Sequence, residues 1–232
     1  MEKRRELLKN GQKDRKNPNR LVIADLHRTL EEFDRSFRAG DQTMLAGVDE
    51  AGRGALAGPV VAAAVILPPY SNLTRVRDSK IVSEQERERL FSEIVDTALA
   101  IGIACSNARF IDTNNILVAT LAAMTNAVKN LGMEPNVVIV DGRDIPVAPG
   151  RVIPVIGGDR TSLAIAAASI LAKVARDRMM RKLHEKHPVY NFLKNKGYGT
   201  KEHVAAITAH GLISKHRKSY RVKSIEKNLQ ML

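Results

Sequence analysis

Apolar positions along the chain follow two periods, and the two alternate. Leu26, Leu30, Phe33 and Phe37 share one face of a helix closing near Gly40. Met44 to Val48 and Val60 to Leu67 are short apolar runs joined by a glycine-rich turn, which predicts two neighbouring strands of one sheet. Ser83 with Glu86 forms a capping box, and the helix it opens has Leu90, Ile94 and Ala98 beside Phe91, Val95 and Leu99 as its apolar face. Alternation of Ile101, Ile103 and Cys105 predicts a third strand, with Cys105 a packing residue rather than a nucleophile. A helix is expected from about Thr113 to Leu131, stopped by Gly132, then strands over Val137 to Val140 and Val152 to Ile156. Ser162 to about Lys186 reads as a long alanine-rich helix.

Alternating strand and helix signals predict an α/β domain, one mixed sheet with helices on its faces. It is expected to span residues 44–186. Residues 1–43 would form a basic extension carrying the amphipathic helix, whose expected role is to pack on that domain. Residues 187–232 would form a basic, irregular or helical C-terminal region that binds substrate. Neither repeats nor low-complexity tracts interrupt the pattern.

Composition narrows the class. With 232 residues, 44% hydrophobic and 27% charged, the chain is globular and not broadly disordered. A single cysteine rules out an intramolecular disulfide and a cysteine-based zinc cluster, and the expected compartment is the reducing cytoplasm. Met1 to Arg20 is too polar for a signal peptide, and the apolar runs Pro59 to Pro69 and Leu163 to Ala172 fall short of the ~18 residues a membrane helix needs. No membrane passage is expected.

The net charge of +12 is unevenly placed. Residues 1–43 hold 11 Lys/Arg against 8 Asp/Glu, residues 44–172 hold 11 against 13, and residues 173–232 hold 15 against 4. A neutral body with a strongly basic end reads as a surface for phosphates.

Acids fall where the predicted strands end. Asp49 and Glu50 follow the first strand and precede Ala51-Gly52-Arg53-Gly54; Asp141 follows Val137 to Val140; Asp159 follows Val152 to Ile156 and the pair Gly157-Gly158. The carboxyl ends of strands are favoured places for sites in α/β sheets. Adjacent strand residues face opposite ways, so Asp49 and Glu50 would reach one centre only through distortion at the strand end. If the four carboxylates meet, they need a cation among them, and an oxygen-only donor set favours magnesium or manganese over zinc. Two such ions are a standard carboxylate solution to phosphodiester hydrolysis. Each acid taken singly also suits a turn or a helix cap. Asp177, one turn beyond Lys173, is expected to be a structural ion pair.

The segment Asp49-Glu50-Ala51-Gly52-Arg53-Gly54, followed by Leu56-Ala57-Gly58-Pro59-Val60-Val61, resembles the opening signature of ribonuclease HII, the type 2 ribonuclease H. Further similarities follow in the family's order: Asp78-Ser79-Lys80, Val140-Asp141-Gly142, Gly158-Asp159, Ala166 to Asp177, Lys196-Gly197-Tyr198 and His216-Arg217. The resemblance covers about Leu45 to Tyr220. It implies a ribonuclease H-like mixed five-stranded sheet flanked by helices, with a C-terminal helical extension. It further implies that Asp49, Glu50, Asp141 and Asp159 bind magnesium or manganese, in a two-ion mechanism, to cut the RNA strand of RNA/DNA hybrids. The same resemblance implies incision 5′ of single ribonucleotides in duplex DNA, leaving 3′-hydroxyl and 5′-phosphate ends. Gly52, Arg53 and Gly54 would read the ribose 2′-hydroxyl, the group that separates RNA from DNA. Tyr198 would pack on the neighbouring deoxyribose. Ser79, Lys80, Lys201, His203 and Arg217 are expected as further substrate contacts, and the protein is expected to act as a monomer.

Three departures stand out. Gly157 occupies a position where many relatives carry lysine, Ala55 one where proline is frequent, and residues 1–43 lie outside the family's core motifs. No clamp-binding peptide is evident at the tail. Two rival functions share this fold: a non-catalytic hybrid-binding protein, which would not need all four acids, and a resolvase-like nuclease, which would have no use for the Gly-Arg-Gly loop or Tyr198.

Overall fold

The structure, a computed structural model, describes residues 28–76 and 82–220. In chain order its elements are helix α1 (residues 28–35), strands β1 (Leu45–Ala51) and β2 (Val60–Ile66), helix α2 (Glu84–Thr97), strand β3 (Ala100–Ser106), and helices α3 (Ala108–Asn114) and α4 (Ile116–Lys129). Strands β4 (Val137–Asp141) and β5 (Arg151–Val155) follow, then helices α5 (Leu163–Lys186), α6 (Phe192–Asn195) and α7 (Lys201–His210). The five strands form one mixed sheet in the order β3-β2-β1-β4-β5. β1 pairs antiparallel with β2 and parallel with β4.

β2, Val-Val-Ala-Ala-Ala-Val-Ile, is buried along its whole length because helices cover both faces of the sheet. On one face Ala63 and Val65 meet α5 and the Leu90 and Ile94 stripe of α2. On the other, Ala62, Ala64, Val48 and Val138 meet Ala123, Met124 and Ala127 of α4. Alanines let α5 lie almost directly on β1. A Cβ added to Gly47 would stand 2.2 Å from the carbonyl carbon of Ala164, so glycine there is a requirement of packing.

Ser83, Asn107, Asn115, Ser162 and Thr200 each cap a helix by accepting a backbone N–H three residues on. Helix α1 docks through Leu30 in the α5-side core, with Phe33 and Phe37 against the cluster of Leu45, Ile139 and Ile165. Its Asp34 accepts the Ala164 N–H at 2.8 Å, so α1 adds a second cap to α5. Leu26, the first residue of the expected apolar face, lies outside the described residues. So do Asp78, Ser79 and Lys80.

Several expectations need correction. The helix expected over Thr113 to Leu131 is two helices broken at Asn115, whose φ of 70° no helix accommodates. α1 ends at residue 35, with turns carrying the chain on to Gly40. Cys105 is exposed, not packed: β3 is an edge strand, and the face covered at Ile101 and Ile103 is open by Cys105. Asp49 and Glu50 sit inside β1, because pairing with β2 continues to Ala51 opposite Val61. No strand-end distortion joins them.

Beyond α5 the chain returns across its C-terminal half. Tyr190, Phe192 and Ile207 bury against Met180 of α5 and Ala57 of the β1–β2 loop. Among the described residues, no helix is long and apolar enough to cross a membrane.

Candidate active site

Neighbouring strands β1 and β4 run parallel, so their carboxyl ends deliver Asp49, Glu50 and Asp141 to the same edge. Asp49 projects toward α5 and is buried. Burial, then the charges of Glu50 and Asp141, push its carboxyl well above the usual carboxylate range, while hydrogen bonds from Ser169 and the Glu50 N–H pull the other way. Glu50 points to the α4 side, where a small cleft is lined by Thr120, Met124, Asp141 and Arg143. Asp141 Oδ1 accepts the N–H of Gly158 at 2.7 Å, which fastens the turn Gly158–Arg160 and its buried Asp159 to the end of β4.

Asp49 therefore feels both Glu50 and Asp141, and Asp159 is tied to Asp141 through one amide. Among the described residues, no three Asp, Glu, His or Cys side chains surround one point. A magnesium-type ion needs only one or two of the carboxylates, with water or phosphate completing its shell. Their donor chemistry fits a hard cation: all are oxygens, and Asp49 is a desolvated acid among like charges. Gly157 adopts φ +67° before the Asp159 turn, a conformation that strains any residue with a Cβ.

The loop after β1 is shaped from beneath by two arginines. Arg217 is buried and donates to the carbonyls of Gly52 (2.7 Å), Arg53 (2.7 Å) and Gly58 (3.1 Å). Arg176, fully buried on α5, donates to Ala57 and Pro59, and its guanidinium lies 5.2 Å from the centre of the Tyr198 ring. Gly52 has φ +95°, and a Cβ there would meet Arg176 Nε at 1.9 Å. Arg53 reaches outward, 3.4 Å from Glu50, and Gly54 is exposed. Tyr198 keeps 38% of its surface exposed beside this loop, and Lys201 is exposed in the first turn of α7.

Two of the expected substrate contacts are internal instead. His203 is completely buried, with both ring nitrogens engaged within the protein. Arg217 spends its donors on loop carbonyls, so it shapes the loop after β1 from within. Asp177 pairs with Lys173 at 2.7 Å, as its spacing predicts. Arg176 was not singled out by sequence. The available signal was a charged residue between Ala172 and Met180, four positions either side on a buried stripe.

A mixed five-stranded sheet in this order, acids at the ends of its central strands and a glycine-rich loop beside them define a nuclease of the ribonuclease H-like class. The family model for ribonuclease HII matches residues 46–225. Ribonuclease HII of Bacillus anthracis (strain CDC 684 / NRRL 3495) is 47% identical over 191 residues, covering 82% of this chain and 74% of its own. Among solved structures, the ribonuclease H2 of Pyrococcus horikoshii OT3 superposes with a TM-score of 0.67 at 25% identity, over 82% of this chain and 98% of its own. The ribonuclease HII of Archaeoglobus fulgidus, solved in complex with PCNA, gives 0.66 at 27% identity, over 78% and 96%. The chain belongs to the ribonuclease HII family and is an endoribonuclease, a hydrolase.

Proposed function

We propose that this enzyme hydrolyses the RNA strand of RNA/DNA hybrids and incises duplex DNA on the 5′ side of an embedded ribonucleotide, leaving 3′-hydroxyl and 5′-phosphate ends. The observation that carries the reading is the buried Asp49 beside the charges of Glu50 and Asp141, with Asp159 one amide from Asp141, next to a loop whose carbonyls are held inward. A binding module would gain nothing from crowding buried carboxylates, which costs stability.

Asp49 and Asp141 would hold a shared Mg²⁺ or Mn²⁺, with Glu50 and Asp159 as flanking ligands. When bound, such an ion supplies a nucleophile at neutral pH and offsets negative charge on the phosphate. The Gly52–Gly54 segment lets backbone approach a sugar closely enough to read its 2′-hydroxyl. Arg53, exposed and beside Glu50, would meet the scissile phosphate. Tyr198 offers an apolar ring face to the deoxyribose that follows. Exposed Lys194, Lys201, Lys215 and Lys218 provide phosphate contacts along the duplex.

The test is a DNA duplex with one ribonucleotide, incubated with protein and Mg²⁺ or Mn²⁺, beside an all-DNA duplex and a chelator control. Cutting 5′ of the ribonucleotide, only with metal and only where the 2′-hydroxyl is present, is expected. Cutting of both duplexes would replace this reading with a resolvase-like one, and tight binding without cutting would replace it with a hybrid-binding module.

A further inference from the structure

Behind Tyr198, outside the acid group, two histidines are buried in contact. His203 and His216 are 0% and 1% exposed, and their Nε2 atoms stand 3.1 Å apart. The outer ends of the pair fix its protons. Ile213 N–H donates to His216 Nδ1 at 3.0 Å, so neutral His216 carries its proton on Nε2 and donates it to His203 Nε2. His203 then carries its proton on Nδ1 and donates to the Tyr198 carbonyl, 2.9 Å away. Every nitrogen of both rings has one partner in one sense. A further proton on either ring would set two donors face to face, and burial lowers the pKa of both, His216 to about 4. Phe192 and Tyr190 hold the rings edge-on, at 5.3 Å from His203 and 4.8 Å from His216.

The two ends of this link belong to the two parts of the proposed recognition surface. One end is the backbone of Tyr198. The other is the turn from Ile213 to Arg217, closed by His216 N–H on the Ile213 carbonyl. From that turn Arg217 takes the carbonyls of Gly52 and Arg53, and its N–H binds the Leu56 carbonyl. Arg176 is a second strut between the Tyr198 ring and the Ala57 carbonyl.

We infer that His203 and His216 are positioning residues that set the spacing between the Tyr198 ring and the Gly52–Gly54 loop, and thereby the preference for a ribonucleotide followed by a deoxyribonucleotide over continuous RNA. The inference rests on the reading of Tyr198 and the loop given above. A ruler between two reading elements matters only where both are engaged, which is at an RNA–DNA junction. Continuous hybrid engages the loop alone.

His203→Phe keeps an aromatic ring between Phe192 and Tyr190 but breaks both hydrogen bonds. The measurement is kcat/KM on a single-ribonucleotide duplex divided by kcat/KM on a continuous RNA/DNA hybrid. This ratio is expected to fall about tenfold, with the hybrid rate within about twofold of wild type. Adding the substitution to Tyr198→Ala is expected to lower the ratio no further, because the histidine acts through the tyrosine. Equal losses on both substrates, tracking a lower Tm, would reduce the pair to a core contact and overturn the inference. An unchanged ratio in Tyr198→Ala, where both histidines are intact, would instead remove the underlying reading of Tyr198, and the inference with it. Should His203→Phe fail to fold, ¹⁵N NMR of the wild-type protein still decides. One proton per ring at pH 7, on Nδ1 of His203 and Nε2 of His216, is expected, and the opposite tautomers or a charged ring would overturn the link.

Discussion

Asp34 allows the docking of α1 to be checked quantitatively. Its carboxylate is buried and caps α5 through Ala164. Burial pushes its pKa from 3.8 to about 6, against the pull of Ser162, the Ala164 N–H and Arg38. Between those two values the folded protein holds a proton that the unfolded chain has released. The contribution of this carboxyl is therefore most favourable below pH 3.8 and is lost as pH rises through about 6. At 1.36 kcal/mol per pH unit, the interval amounts to about 3 kcal/mol of stability forgone at pH 7. Asp34→Asn keeps an oxygen for the Ala164 N–H and has no charge to desolvate. Relative to wild type, the variant should gain up to about 3 kcal/mol on going from pH 4 to pH 7, read by urea unfolding followed by circular dichroism. His216 drives stability the opposite way, since its pKa of about 4 lies below that of a free histidine, but it is common to both proteins and cancels in the difference. A difference that stays flat with pH, or grows as pH falls, would refute the assignment of a desolvated charge to Asp34.

Other consequences are equally direct. Gly47→Ala drives a Cβ into the Ala164 backbone and should cost about 3 kcal/mol or more in chemical denaturation; a cost under about 1 kcal/mol would mean that α5 does not lie where described. Arg217→Lys keeps the charge but loses the planar fork across three carbonyls, and should lower stability by roughly 2–4 kcal/mol while raising KM for the ribonucleotide duplex. A normal KM would uncouple Arg217 from the loop. Asp49→Asn should lower turnover by roughly 10²–10⁴-fold with duplex binding in metal-free buffer nearly unchanged, measured by single-turnover cleavage and mobility shift; wild-type rates would remove Asp49 from the chemistry.

The sheet was readable because β2 and β4 are unbroken apolar runs, and α5 because its alanine-rich stretch starts at a serine cap. Position at the carboxyl end of a strand likewise drew out Asp141. The break at Asn115 was not readable, since Ile111, Ile116 and Ala119 continue an apolar pattern across it while only the backbone changes hand. Charge misled most. Basic residues are normally solvated, so Arg217 and His203 read as surface contacts, and the excess of Lys and Arg after residue 172 read wholly as surface. Arg176 and Arg217 belong to that excess and are buried. What decides their place is a set of carbonyls more than a hundred residues earlier, which no local pattern reveals.

That separation sets an order of events during synthesis. Chains emerge N-terminus first as they are made, and a domain folds as a unit once its parts are present. Asp49, Glu50, Asp141, Asp159 and all five strands have been synthesised once residue 159 has emerged. The loop that follows β1 must wait for Arg176, then for the Gly197 carbonyl that accepts Leu56 and Ala57, and last for Lys215, Arg217 and Tyr220. A nascent chain stopped short of residue 197 thus carries every acid of the site and only part of the scaffold beneath its loop. The scaffold beneath the proposed reading loop is the last part of the candidate site to be made.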